Sequence, residues 1–333
     1  MNIAEIARRA NVSTATVSRT INQSGPVKAS TARKVWRVVA ELNYFPNSHA
    51  RALVSGRSRL LGLIVSDITN PFFSELIRSF ESHAAQQQYD LLITSTDYET
   101  NRMTATLRRM LERKVDGVAV MTSEMDLGLI RELSRRGVPI VFMDVGQMGP
   151  RMSHVSIDYG NGIHQAVNHV VGLGHKHVAF ISGPLDLHSA RTRRQAFVEA
   201  MRLHGIVPDR RLLREGTHTA EGGQREMSAL LRLSKRPTAV VASNDWTAIG
   251  ALHAIQSEGL RVPDEISLVG FDDIPLVSYT TPALTTVRMS AVDVGSTAFQ
   301  ALFTMIGGVK VEGDVYPIPT KLVIRDSTAK ARR

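Results

Sequence analysis

The sequence predicts two parts: a small all-α module at the amino terminus, then an α/β body of two doubly wound lobes. Three observations predict this. Apolar residues recur at helical spacing through residues 3–42. From Leu60 onward, short apolar runs alternate with longer helical segments, and this alternation occurs twice. Residues 1–59 hold ten Lys or Arg against Glu5 and Glu41, a net +8 out of +9 for the whole chain. A basic module is thus attached to a nearly neutral body. A solvated Lys/Arg face is the alternative reading, and the scarcity of acids opposes it.

The first helix starts at a capping box, Asn2 with Glu5, and presents Ile3, Ile6, Ala7 and Ala10 on one face. Asn11 suits a left-handed stop, and Ser13 suits the cap of a second helix carrying Val17 and Ile21. The two stripes can pack together. Ala15, Arg19 and Asn22 then point away from the apolar stripe, flanked by Thr14 and Ser18, a small polar face that suits the DNA major groove. A third helix is expected from Thr31 to Leu42, capped by Ser30, and it ends before Asn43-Tyr44-Phe45-Pro46. A short segment, His49 to Ser55, has helical character but is too short to hold alone in water.

Expected buried strands are Leu60 to Val65, Leu91 to Thr94, Gly117 to Met121, Ile140 to Met143, His177 to Ile181, Ala239 to Ala242 and Ile266 to Val269. Expected helices are Pro71 to Gln87, Asn101 to Arg113, Leu127 to Arg136, Asn161 to Leu173, Arg191 to His204, Ala220 to Leu231 and Trp246 to Glu258. Val292 to Met305 as helix and Lys321 to Ile324 as strand follow both sets. Ligands in such sheets bind beyond the carboxyl ends of strands. Polar residues gather there: Asp67 and Asn70, Ser123 and Glu124, Asp144, Asn244 and Asp245, and Asp272 and Asp273. Each acid also reads as a cap of the next element; several on one edge favour a site for a polyol or polar ring.

Several function classes are excluded. Zero cysteines remove disulfides, thiolate metal sites and Cys nucleophiles. His169, His175 and His177 have no nearby acid and read as surface features, so no metal or other cofactor is expected. No Gly-x-Ser-x-Gly, His-Glu-x-x-His, Walker loop or dinucleotide fingerprint occurs, so no enzyme is expected. Met1 leads directly into the capped helix and no apolar run approaches eighteen residues, so a cytoplasmic protein without membrane association is expected. A solute-binding protein of periplasmic type would share the two lobes, but with a signal peptide and without the basic module.

The chain resembles the lac repressor and galactose repressor (LacI/GalR) family of bacterial transcription regulators, and is purine-repressor-like in overall sequence. The carriers are Asn11-Val12-Ser13 with Thr16-Val17-Ser18-Arg19, Leu42-Asn43-Tyr44 with Pro46-Asn47, Ala50-Arg51 with Leu53, and Val115-Asp116-Gly117. Further along come Arg236-Pro237-Thr238-Ala239, Val262-Pro263, Gly270-Phe271-Asp272 and Thr281-Pro282-Ala283-Leu284-Thr285-Thr286. The resemblance covers essentially the whole chain. It implies a helix-turn-helix DNA-binding domain (1–46), a hinge helix and linker (47–59) and a periplasmic-binding-protein-like effector-binding and dimerisation core (60–333). In that core the N-lobe is about 60–158 plus 290–318, and the C-lobe about 159–289 plus 319–333.

It also implies roles. The DNA-contacting set is Thr14, Ala15, Thr16, Ser18, Arg19, Asn22, Asn47, Ala50, Arg51 and Leu53. Within it Arg19 reads a guanine and Leu53 is a wedge between base steps of a palindromic operator bound by a homodimer. The effector cleft maps onto Phe72, Phe73, Ser123, Asp144, Val145, Ser189, Arg193, His218, Asn244, Asp245, Trp246 and Asp272. Val145, Leu187 and His218 stand where the purine repressor has an aromatic, an Arg and another aromatic, which weighs against a purine-type corepressor. Arg191, Arg193, Arg194, His188 and His218 near one rim suggest a sugar, sugar acid or sugar phosphate. The expected function is allosteric repression or activation switched by that small-molecule effector, as inducer or as corepressor.

Overall fold

The computed structural model describes residues 2–22, 24–44, 57–122, 128, 135–144, 149–308 and 312–332. The chain divides into two compact units, Met1–Arg59 and Leu60–Arg333.

In the first unit, α1 (Ile3–Ala10), α2 (Thr14–Asn22) and α3 (Ala29–Glu41) pack around Ile6, Val17 and Val35, each fully buried. Asn2 caps α1 by accepting from the Glu5 amide at 3.1 Å, and Asn11 ends it in the left-handed region (φ 52°). The reciprocal half of the capping box is not made. The Glu5 carboxylate is drawn to Arg8 and Arg9 instead, at 2.7 and 2.8 Å, and their hydrogen bonds hold it down at about 2. The expected Ser30 cap is also corrected: α3 starts at Ala29, the Lys28 carbonyl receives the first helical amides, and no side chain caps it.

Among the described residues, the body holds two six-stranded sheets. In chain order its elements are β1 (Leu60–Val65), α4 (Pro71–Gln86), β2 (Asp90–Ser95), α5 (Thr100–Glu112), β3 (Gly117–Met121), β4 (Ile140–Met143) and β5 (Met152–Ile157). Next come α6 (Tyr159–Gly172), β6 (Val178–Ser182), α7 (His188–Leu203), β7 (Leu213–Glu215), α8 (Ala220–Leu231), β8 (Ala239–Ala242) and α9 (Asp245–Ser257). The chain closes with β9 (Ser267–Asp272), β10 (Thr285–Arg288), α10 (Ala291–Ile306), β11 (Val315–Ile318) and β12 (Lys321–Val323).

The sheet orders are β11-β5-β4-β3-β1-β2 and β12-β10-β9-β8-β6-β7. Every strand pairs in parallel except β12, which runs antiparallel to β10. The chain passes between sheets three times, from β5 to α6, from β10 to α10 and from β11 to β12. All three passages leave strands at the same side of the sheets, remote from β2 and β7.

Central strands such as β3, β4 and β8 are buried throughout, as continuous apolar runs require in a parallel sheet covered on both faces. Four strands were not legible as apolar runs: β5, β7, β10 and β11 carry polar or exposed residues, as in Met-Ser-His-Val-Ser-Ile and Thr-Thr-Val-Arg. β9 runs on to Asp272 because buried Phe271 continues it past Gly270. The expected helices at residues 49–55 and 127–136 fall wholly or largely outside the described residues.

α8 and α9 pack so closely that a Cβ on Gly250 would lie 1.8 Å from the Ala220 carbonyl oxygen. Because that neighbour is backbone, Gly250→Ala should separate the helices and lower stability by about 1–3 kcal/mol, read from thermal and urea unfolding.

Candidate functional site

On α2, Thr14, Ala15 and Arg19 are exposed, while Val17, Thr20 and Ile21 are buried. The stem of Arg19 lies 3.4 Å from where a Cβ on Gly25 would stand, so the glycine leaves room beside the guanidinium arm. Two expected contacts are less available. Thr16 shares its hydroxyl with Ser13 at 2.9 Å, and Asn22 turns its amide nitrogen onto Ser18 at 3.2 Å with its carbonyl oxygen buried. Asn47, Ala50, Arg51 and Leu53 lie outside the described residues.

In the body, the carboxyl ends of both sheets meet at a narrow cleft of about 50 Å³. It is lined by Ser66, Asn70, Phe72, Tyr98, Met143, Tyr159, Leu187, Ser189, Arg193, His218, Asn244, Asp272 and Met289. An adjoining cavity of about 230 Å³ shares Phe72, Asp272 and Met289 with it. Arg193 is the centre of the cleft. Its guanidinium carbon lies 4.3 Å from the centroid of Tyr159 and 4.5 Å from that of Phe271. One terminal nitrogen donates to the Ser243 carbonyl at 2.8 Å, while the buried Nε has no hydrogen-bond partner.

Burial sets the charge states around it. Asp272, at φ 116°, is pushed up to about 7 by loss of water, with Arg193 pulling the other way. Asp245 lies deeper, and burial followed by the charge of Asp272 raises it well above the usual carboxylate range. Its oxygens are committed, accepting from the Thr286 hydroxyl at 2.5 Å and from the Ile274 amide at 2.9 Å. The Tyr159 hydroxyl donates to Asp144, and burial raises its phenol above the ordinary value. His218 is driven down to about 3 by burial and then by Arg193, so its ring is neutral. Asn244 accepts from the Thr247 amide at 2.9 Å, capping α9, and donates to the His218 carbonyl at 3.0 Å.

Of the residues proposed from sequence, Phe72, Ser189, Arg193, His218, Asn244 and Asp272 line the cleft together. Asp144 reaches it through Tyr159. Phe73 packs into the core edge-on to Phe72, and Trp246 packs against core residues away from the cleft lining. Asp245 is a structural acid behind the cleft. Ser123 and Val145 lie outside the described residues. The cationic rim is corrected: Arg191 binds the Leu185 and Asp186 carbonyls, and Arg194 lines a groove on the outer face of α7 with Val198 and Leu203. His188, exposed, contacts Thr192 on its own helix. Sequence reasoning missed Tyr98 and Tyr159. Tyr159 opens α6 at a crossover, and Tyr98 sits in a loop after an edge strand, so neither follows a buried apolar run.

The surface reading of His169 and His175 is corrected: His175 is buried, and the two rings hold the carboxyl-terminal segment. His175 bonds Thr238 and the Ala329 carbonyl, and His169 bonds Thr328. Among the described residues, no group of three or more His, Cys, Asp or Glu is placed to hold a metal ion, and no helix is long and apolar enough to cross a membrane.

Known proteins share both parts. Residues 2–47 match the family described as bacterial regulatory proteins, lacI family, and residues 167–328 match a periplasmic binding protein-like domain. The HTH-type transcriptional repressor PurR of Aliivibrio fischeri (strain MJ11) is 34% identical over 328 residues, covering 98% of this chain and 97% of that protein. The lac repressor dimer bound to operator and an anti-inducer superposes with a TM-score of 0.86 at 30% identity, over 99% of each chain. A LacI family regulator from Enterococcus faecium with bound ribose superposes at 0.74, with 27% identity over 82% of this chain and 100% of that one. A helix-turn-helix unit followed by a two-lobed ligand-binding body defines a ligand-controlled DNA-binding regulator. This chain belongs to the lacI family of bacterial regulatory proteins. It is a sequence-specific DNA-binding transcriptional regulator.

The neutral, buried His218 carries a pH signature. Its folded value lies below that of an unfolded histidine, so the unfolded chain takes up the proton first and stability falls as pH drops below about 6.5. Between pH 7 and 5 this one group should cost about 2 kcal/mol. His218→Gln should lose correspondingly less over that interval, measured by urea unfolding at each pH.

Proposed function

We propose that the protein is a cytoplasmic repressor that binds a palindromic operator as a homodimer through α2, and that a neutral sugar in the cleft controls it. The carrying observation is Arg193, a buried guanidinium held between two rings, with one donor unsatisfied beside an acid of adjustable charge. Such a pair suits a polyol: Nε donates to a ligand oxygen, and Asp272 accepts from a ligand hydroxyl. Asn244 and Ser189 add short polar groups, and Phe72 an apolar wall.

Charge favours a neutral sugar over a sugar acid or phosphate. Arg191 and Arg194 face elsewhere, His218 is uncharged, and Arg193, the cation among the described residues lining the cleft, is opposed by Asp272. The relative with bound ribose supports the same class. On the DNA side, Ala15 offers only apolar contact, so Thr14 and Arg19 supply the hydrogen-bonded reading. Operator and effector are coupled through the lobes, an effect typically worth about 1–3 kcal/mol per site.

Arg19→Ala should erase the affinity difference between a selected operator and a scrambled duplex, measured by fluorescence anisotropy. Binding of either duplex without salt dependence would sink the regulator reading. A thermal-shift screen of neutral sugars, sugar acids, sugar phosphates and purines tests the effector class, and a purine hit without a sugar hit overturns it.

Once a sugar is found, its affinity should rise between pH 6 and 8. Asp272 ionises through about 7 in the folded protein and accepts best as a carboxylate. Asp272→Asn should bind more weakly and lose that pH dependence, read by calorimetry across the range.

A further inference from the structure

The cleft, at about 50 Å³, is far smaller than the roughly 300 Å³ or more usual for small-molecule pockets. The adjoining cavity of about 230 Å³ shares only Phe72, Asp272 and Met289 with it, so seating a ligand against Arg193 requires the two lobes to part. The three passages between the lobes all lie on the β11/β5 and β12/β10 side, so that side is the pivot. The opposite side ends in the edge strands β2 and β7, and no chain joins the lobes there.

Among the described residues, a ring contact spans that open side. Tyr98, in the loop after β2, meets His218, in the loop after β7, with ring centroids 6.1 Å apart and planes tilted by 33°. Both loops are built to present these rings. Asp97 and Tyr98 are consecutive left-handed residues (φ 51° and 61°), a conformation that costs free energy in non-glycine residues and needs holding in place. Asp97 supplies the hold: its amide donates to the Ser66 carbonyl at 2.7 Å, and its carboxylate accepts from Ser95 at 2.6 Å and pairs with Arg102. On the other lobe His218 is left-handed too (φ 60°), tied by Ser243 at Nδ1 and by Asn244 at its carbonyl. A Cβ on Gly183 would lie 2.0 Å from Nε2, so the imidazole rests directly against that glycine.

We infer that Tyr98 is a clasp: its ring closes against His218 on the side away from the pivot and sets how much of the protein has its cleft shut. Tyr98 is a positioning residue that acts through His218. Leverage makes a small contact effective. The edge strands stand about four strand spacings from the pivot, roughly 20 Å, so parting the rings by 3–4 Å needs a rotation of only about 10°. An aromatic pair contributes on the order of 1 kcal/mol beyond its area, enough to shift a balanced open–closed equilibrium about fivefold. The inference deepens the reading of this cleft as the effector site.

The absence of cysteine makes the test clean. Cysteines placed at exposed Ala105 on α5 and Gln224 on α8 carry a pair of spin labels on the full chain, and their distance is measured without effector or DNA. Tyr98→Ala should lengthen the mean distance by about 3 Å, or add a population at that length. Tyr98→Phe keeps the ring and should stay nearer the wild-type distribution than Tyr98→Ala. His218→Ala should give the same change as Tyr98→Ala, and the double variant no more than either alone.

Identical distributions in Tyr98→Ala and wild type would overturn the clasp. So would additive changes in the double variant, which signify two independent structural effects. Because the measurement contains no ligand, failure of the sugar screen and failure of the clasp are read separately.

Discussion

The constraint that organises the body is the burial of the Arg193 guanidinium. A cation taken out of water must be compensated, and four elements converge to do it. α7 supplies the side chain, α6 the Tyr159 ring, β9 the Phe271 ring and Asp272, and the end of β8 the Ser243 carbonyl. Tyr159 also carries Asp144 from the first sheet on its hydroxyl. One buried charge therefore ties the end of β4 to four elements of the second lobe.

Compensation is incomplete at Nε, and that incompleteness is useful. A buried donor without a partner costs free energy that a ligand oxygen recovers on binding. The acids behind it show the same tension. Burial makes both Asp245 and Asp272 resist ionisation, and the charge of Asp272 raises Asp245 further. Asp245 is held by Thr286 and Ile274, and a Cβ on Gly270 would lie 2.1 Å from its Oδ1, so no larger residue fits there. Asp272, at the cleft surface, is the one whose charge a ligand or a change of pH can alter.

The topology makes such local events mechanical. The three crossings lie on one side of the two sheets, so the opposite side is where the inferred clasp acts on how far the lobes open. Tyr98 and His218 stand there, at 6.1 Å.

Much of this was legible in the sequence. The helices of the first unit followed from Ile6, Val17 and Val35 at helical spacing, and the central strands from runs such as Ala239 to Ala242, because burial on both faces demands uninterrupted apolar residues. Strand-end polar residues pointed to the cleft because parallel sheets place their carboxyl ends together. The sequence by itself determined the two kinds of unit, the repeated α/β alternation and the family. Tertiary structure alone decided which way each polar residue faces. Arg191 and Arg193 are two positions apart on one helix, so one turns out to its own loop and the other into the cleft. Asp245 and Asp272 are both strand-end acids, yet one is sealed by Thr286 and the other borders a cavity. Tyr98 and His218 are brought together across 120 residues by loops whose left-handed backbones no local pattern announces. Chain spacing sets direction along an element, and only packing against the other lobe sets what a side chain meets.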